Sequence, residues 1–346
     1  MSILVDTFGT MPDGREVYSY ILKNKLGASA QIITYGGTLN SLFMPDRDGV
    51  FKDVVLGFDD LKGHIERSDY QGMLVGRYAN RIANGKFKIG DTDYNVTINE
   101  KGITSLHGGG EMSHDLWEAE IINDSTLRLS FFSPDGSNGF PGNLKVTADY
   151  TLGDDNALSI EYRALSDKDT IINLTNHAYF NLKGFDGGDI LDHILQINAD
   201  YFTPTDENSI PTGELREVKG TPFDFTCAKA IGRDIGFDCE QLNYCKGYDH
   251  NFCLRKGAVP NVTVYEPKCG RGMEVYTDLP GVQLYCGNFL SGKEGKDGIK
   301  MGRHSGFCLE TQYYPDTPNR PEFPQCTFKA GEEYKTKTVY KFVIIK

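Results

Sequence analysis

The sequence predicts an all-β fold: a large antiparallel β-sandwich with long loops over one face. Three observations carry that prediction. Apolar and polar residues alternate in several short runs, the period-2 mark of a half-buried strand. Turn-forming pairs separate those runs, and the 39 glycines suit many short strands joined by tight turns. Strand–helix–strand alternation is missing, which weighs against a doubly wound or α/β-barrel architecture.

Taken in chain order, Asp13-Gly14 and Asp48-Gly49 mark early turns. Asp59 to Arg67 is the stretch fit for a short helix. Leu127-Arg-Leu-Ser-Phe131 alternates, and Asp135-Gly136 and Pro141-Gly142 follow it as turns. Leu158-Ser-Ile-Glu-Tyr162 and Met273-Glu-Val-Tyr-Thr277 alternate in the same way. Pro280-Gly281 supplies the next turn, and Thr336 to Ile345 predicts a long closing strand. The stretches Thr203 to Asp224 and Leu290 to His304 are irregular, and loops of that length often form functional rims. No linker, low-complexity tract or repeat interrupts the chain, so residues 1–346 are expected to form one domain.

The net charge of −12 argues against nucleic-acid binding, which depends on clustered Lys and Arg. It also disfavours a strongly anionic substrate. No apolar run is long enough to cross a bilayer. The start, Met1-Ser-Ile-Leu-Val-Asp6, lacks the pattern of a secretory signal. All 8 cysteines fall between Cys227 and Cys326, with no C-x-x-C spacing, so reduced thiols in the cytoplasm are expected. The sequons at Asn95, Asn173 and Asn261 would matter only in a secreted form.

Asn173-Leu-Thr-Asn-His177-Ala-Tyr-Phe-Asn181-Leu carries the strongest chemical signal. A histidine follows strand-like apolar positions among amides and aromatics. Asn176 and His177 fall on opposite faces of a strand, and amides and tyrosines suit a polyhydroxylated ligand. A lone histidine is more often a satisfied core residue; the crowd of polar neighbours favours chemistry here. Leu309-Glu310-Thr-Gln-Tyr-Tyr314-Pro-Asp316 adds a carboxylate near a strand end. Strand alternation points Glu310 the same way as Cys308 and Gln312, although a solvent-facing glutamate is the commoner case. At reference pKa values Glu310 is ionised at neutral pH and His177 is partly protonated, which suits proton removal and delivery.

Weaker signals surround this pair. Arg77 and Arg81 are expected to share a side whether the segment is helical or extended, and Asn80 beside Arg81 offers several donors; surface salt bridging is the alternative. His107 precedes three glycines, a loop that lets backbone approach a ligand. Asp249 precedes His250, which suits either a site or a capped turn. Gln283 takes the polar position of an alternating run. Trp117 reads as core. His107, His177 and Asp249 would mimic a two-His-one-carboxylate metal triad, but no short-range ligand motif supports a metal. No metal and no cofactor are expected.

Together these residues resemble the galactose mutarotase (aldose 1-epimerase) family. The resemblance spans nearly the whole chain. It rests on Tyr35-Gly-Gly37, Gly76-Arg-Tyr-Ala-Asn-Arg-Ile82, Leu106-His-Gly-Gly109, Asn176-His-Ala-Tyr-Phe-Asn-Leu182, Gly247-Tyr-Asp-His-Asn251, Gly281-Val-Gln-Leu-Tyr-Cys-Gly-Asn288 and Leu309-Glu-Thr-Gln312, in the family's order. Tyr78 departs from it, standing where a small or β-branched residue is more usual. The resemblance implies a galactose mutarotase-like β-sandwich with an open sugar cleft. It implies interconversion of the α and β anomers of free hexoses such as galactose and glucose. Glu310 would be the general base at the C1 hydroxyl and His177 the general acid at the ring oxygen. Asn80, Arg81, His107, Tyr179, Asp249 and Gln283 would hold the sugar hydroxyls. The expected partner is a free hexose, with no nucleic acid or membrane, and the chain is a monomer or homodimer. The competing readings are a hexose-phosphate 1-epimerase, a glycoside hydrolase using Asp249 and Glu310, and a non-catalytic sugar-binding protein of the same fold.

Overall fold

Three antiparallel sheets dominate the computed structural model, which describes residues 2–345. The first has five strands in sequence order: Ser2–Thr10, Glu16–Lys23, Ser29–Ile33, Thr38–Pro45 and Phe51–Asp53. The expected Asp13-Gly14 turn closes its first hairpin. Gly14 sits at φ 91°, where a side chain is disfavoured.

The second sheet has nine strands. It opens with the meander Glu118–Asn123, Thr126–Ser133, Leu144–Leu152 and Ala157–Ser166. The closing strand, Glu333–Ile344, pairs with Ala157–Ser166 on one side and Arg271–Thr277 on the other. It therefore stitches distant halves of the sequence together. Tyr334, Thr336, Thr338, Tyr340 and Phe342 are buried while their neighbours are not, the alternation expected of a strand with one face on the core.

The third sheet positions the site. Its order is Arg216–Glu217, Ala199–Phe202, Asp249–Leu254, Gly281–Tyr285 and Cys308–Gln312. The register pairs Asp249 with Tyr285 and Tyr285 with Cys308, and pairs Asn251 with Gln283 and Gln283 with Glu310. Directly opposed residues share a face, so these side chains form one polar surface. Phe252, Val282, Leu284 and Leu309 occupy the opposite face and join the main core. There the Tyr340 hydroxyl of the closing strand donates to the Leu309 carbonyl at 3.2 Å. The expected antiparallel β-sandwich is what the chain forms.

The short helix spans Leu61–Glu66, inside the expected Asp59 to Arg67. Asp60 caps it by accepting the Gly63 N–H at 2.7 Å. A second helix, Glu240–Cys245, was not legible, because six residues cannot display a helical period. Gln241 on that helix clamps the Thr205 backbone at both N–H and C=O. The irregular stretch from Leu290 to His304 contains a small hairpin, Lys293–Glu294 with Lys300–Met301. It is anchored by Lys296, whose buried ammonium meets Asp53 at 2.6 Å. Trp117 is core, with its indole N–H donating to the Met112 carbonyl. Among the described residues no helix is long and apolar enough to cross a membrane. The eight cysteines are free thiols.

Candidate active site

His177 follows directly on the two-residue strand Thr175–Asn176, and that placement splits the motif into two jobs. Asn176 turns inward, donating to the Gly72 carbonyl at 2.7 Å and accepting from Ala178 N–H. Asn173 and Asn181 also spend their amides on backbone carbonyls. The asparagines thus hold the segment, and His177 and Tyr179 face a cavity of about 420 Å³.

The cavity floor carries Glu310. Its Oε1 lies 3.7 Å from His177 Nε2, and both side chains are almost wholly buried. Glu310 Oε2 has no protein partner. Burial pushes the Glu310 carboxyl up to about 8; the nearby Asp249 charge adds to this and Arg81 opposes it. Burial pushes His177 down to about 4, against the pull of its own backbone carbonyl and of Asp249. The reference values therefore misplace the resting proton. Both shifts favour a proton on Glu310 and a neutral His177 over an ion pair.

Aromatic rings fix the imidazole. Tyr179 stacks on it at 5.0 Å and Tyr70 at 6.0 Å, while His107 meets it edge-on at 5.3 Å. The second ring nitrogen, Nδ1, lies 3.5 Å from Cys308 Sγ.

The structure brings Asn80, Arg81, His107, Tyr179 and Asp249 to the cavity wall together with the pair. Arg81 makes a bidentate bond to Glu100 and lies 3.9 Å from Asp249. Burial works against its charge, but Asp249 and Glu100 hold it firmly protonated. Gln283 is not at the wall. It stands beneath Asp249, donating to Oδ1 at 2.7 Å and accepting from Gln312 at 3.2 Å. Arg77 is also elsewhere. Asn80 adopts φ 68°, which breaks the alternation, so Arg77 and Arg81 do not share a side. The Arg77 guanidinium is fully buried and donates to Ser133 Oγ and to the carbonyls of Ser133, Pro134 and Pro141. The glycines after His107 serve packing. A Cβ on Gly108 would stand 2.2 Å from the Gly76 carbonyl oxygen.

Tyr70, Glu100 and Tyr285 also line the cavity and were not singled out from sequence. Tyr285 was findable, since it alternates with Gln283. Tyr70 and Glu100 lie outside periodic segments and gave no such signal.

Among the described residues, His107, His177 and Glu310 form a group of potential metal donors with ligand atoms within 4.8 Å of one another; Asp249 is not part of it. The Asn80 N–H points at His107 Nδ1 at 3.2 Å. Burial keeps His107 neutral, so its proton is on Nε2. Neither nitrogen then offers a free lone pair, and the ring is a donor to a ligand oxygen instead.

The aldose 1-epimerase family model matches residues 18–341. Galactose mutarotase of Homo sapiens is 42% identical over 348 residues, covering 99% of each chain. Aldose 1-epimerase of Escherichia coli K12 is 39% identical over 349 residues, again covering 99% of each. The crystal structure of galactose 1-epimerase from Lactobacillus acidophilus superposes with a TM-score of 0.89 at 30% identity, covering 100% of both chains. With its family model matched across nearly the full length, this chain belongs to the aldose 1-epimerase family.

Proposed function

We propose that this protein is a mutarotase that interconverts the α and β anomers of free hexoses such as galactose and glucose. One observation carries the reading: a carboxyl and an imidazole stand 3.7 Å apart at the floor of a polar cavity. The hydroxyl oxygen and the ring oxygen of a pyranose are both bonded to C1. One proton must leave the first while another reaches the second. A base and an acid that close together match that demand.

Ring opening needs the pair's one proton moved from Glu310 to His177 Nε2, 3.7 Å away; the freed Glu310 carboxylate then takes the proton from the C1 hydroxyl. The C1–ring-oxygen bond breaks as the aldehyde forms, and His177 protonates the departing ring oxygen. Rotation about C1–C2 exposes the other aldehyde face. In closure His177 takes the proton back and Glu310 returns its own. The pair carries one proton throughout, so the cycle needs no exchange with solvent. The resting state, with Glu310 protonated and His177 neutral, is the form that meets the open chain. Asn80, Arg81, His107, Tyr179 and Asp249 hold the hydroxyls in this reading, and Gln283 orients Asp249.

Asp69, Glu100 and Asp249 line the cavity against Arg81 and Lys101, and Arg81 is committed to two carboxylates. That balance favours a neutral sugar over a hexose phosphate. We read residues 1–346 as one catalytic domain, because the cavity draws on positions from Ser68 to Glu310. The free thiols suit a cytoplasmic setting.

The test is polarimetry on freshly dissolved α-galactose at neutral pH, with and without chelator. We expect the approach to equilibrium far above the buffer rate in both. A folded protein that leaves the buffer rate unchanged overturns the reading.

A further inference from the structure

The strand Cys308–Gln312 sets a side chain opposite each nitrogen of the His177 ring. Residues two apart on a strand point the same way, so Cys308 and Glu310 rise from it side by side. Cys308 Sγ meets Nδ1 at 3.5 Å, and Glu310 Oε1 faces Nε2 at 3.7 Å. Stacked tyrosines hold the ring plane, so the two nitrogens cannot trade places freely. Cys308 itself is fully buried and does not line the cavity.

The cycle constrains which proton each nitrogen holds. The protonated ring carries both. When Nε2 gives its proton to the sugar ring oxygen, the neutral ring must keep the proton on Nδ1. The opposite tautomer leaves Nε2 capped and unable to take the proton back. We propose that Cys308 is a positioning residue that accepts the Nδ1–H of His177 and so reserves Nε2 for proton transfer. This rests on the mutarotase reading for its role, though not for its geometry.

Sulfur suits the task. A carboxylate at Nδ1 would orient the ring equally well but would raise its basicity. A neutral thiol orients the ring with little charge, and burial pushes the Cys308 thiol well up, so it stays protonated.

The test reads the tautomer directly. Nitrogen-15 NMR of histidine-labelled protein, without sugar at pH 7, is compared with His177→Asn to assign the ring. We expect the Nδ1–H tautomer in the native protein. In Cys308→Ala the Nε2–H form should grow, with kcat reduced roughly tenfold and KM changed less than about threefold. Cys308→Ser, whose hydroxyl also accepts, should restore both. An Nε2–H tautomer in the native protein overturns the proposal, as does Cys308→Ala with native tautomer and kcat. If the alanine variant fails to fold, Cys308→Val, which fills the space without offering an acceptor, is read in its place against the same two outcomes. Failure of the mutarotase reading would show as an inactive native protein, whichever tautomer it holds.

Discussion

Glu310→Gln should make the protein much less active and, at alkaline pH, more stable. Glutamine keeps the shape of a protonated glutamate but cannot ionise. The folded-state pKa of Glu310, about 8, lies above the ordinary 4.5. Its contribution to stability is therefore complete below about 4.5 and lost as pH rises through about 8. At about 1.4 kcal/mol per tenfold, the rise from 4.5 to about 8 corresponds to roughly 5 kcal/mol against the carboxylate. Relaxation around the cavity reduces this, so a gain on the order of 2–5 kcal/mol is expected for the variant at pH 9, and about 1 at pH 5. Thermal melts of both proteins at the two pH values read the difference. A kcal/mol moves the melting point by roughly 2–4 °C in a domain of 150–250 residues and somewhat less in a larger chain, so several degrees should appear at pH 9 only. Polarimetry on the same samples should show turnover down by at least about 10²-fold. Equal melting-point differences at both pH values would refute the claim that burial of an ionisable carboxyl costs stability. Near-native turnover would refute the assignment of Glu310 as the base.

Two other outcomes follow from the geometry. The profile of kcat/KM against pH should be a bell with limbs near 4 and 8, because both groups hold protons below it and neither does above it; activity still climbing beyond pH 9 would contradict this. Arg77→Met should destabilise the fold by about 3–5 kcal/mol in urea titration, since several buried carbonyl acceptors lose their donor. Arg77 does not line the cavity, so kcat of the folded fraction should stay within about twofold, and a large kcat loss at native stability would be the opposite result.

Much of the site was legible because strands convert sequence spacing into direction. Alternation alone put Glu310 on the face of Cys308 and Gln312, and the register confirms that face against Gln283. The same rule separated His177 from Asn176. It failed at Arg77 and Arg81, where the left-handed Asn80 interrupts the period. It also could not say that Gln283 stands behind Asp249, because depth within a polar face depends on what packs above it.

The sequence by itself determined the sandwich and its main strands, and it singled out one carboxyl and one imidazole as candidates. Period-2 patterning and turn chemistry act over a few residues, so they can be read without neighbours. Tertiary structure alone decided where the proton rests. Segments more than a hundred positions apart bury Glu310 and His177 together, and desolvation, which no local pattern encodes, pushes the one up to about 8 and the other down to about 4.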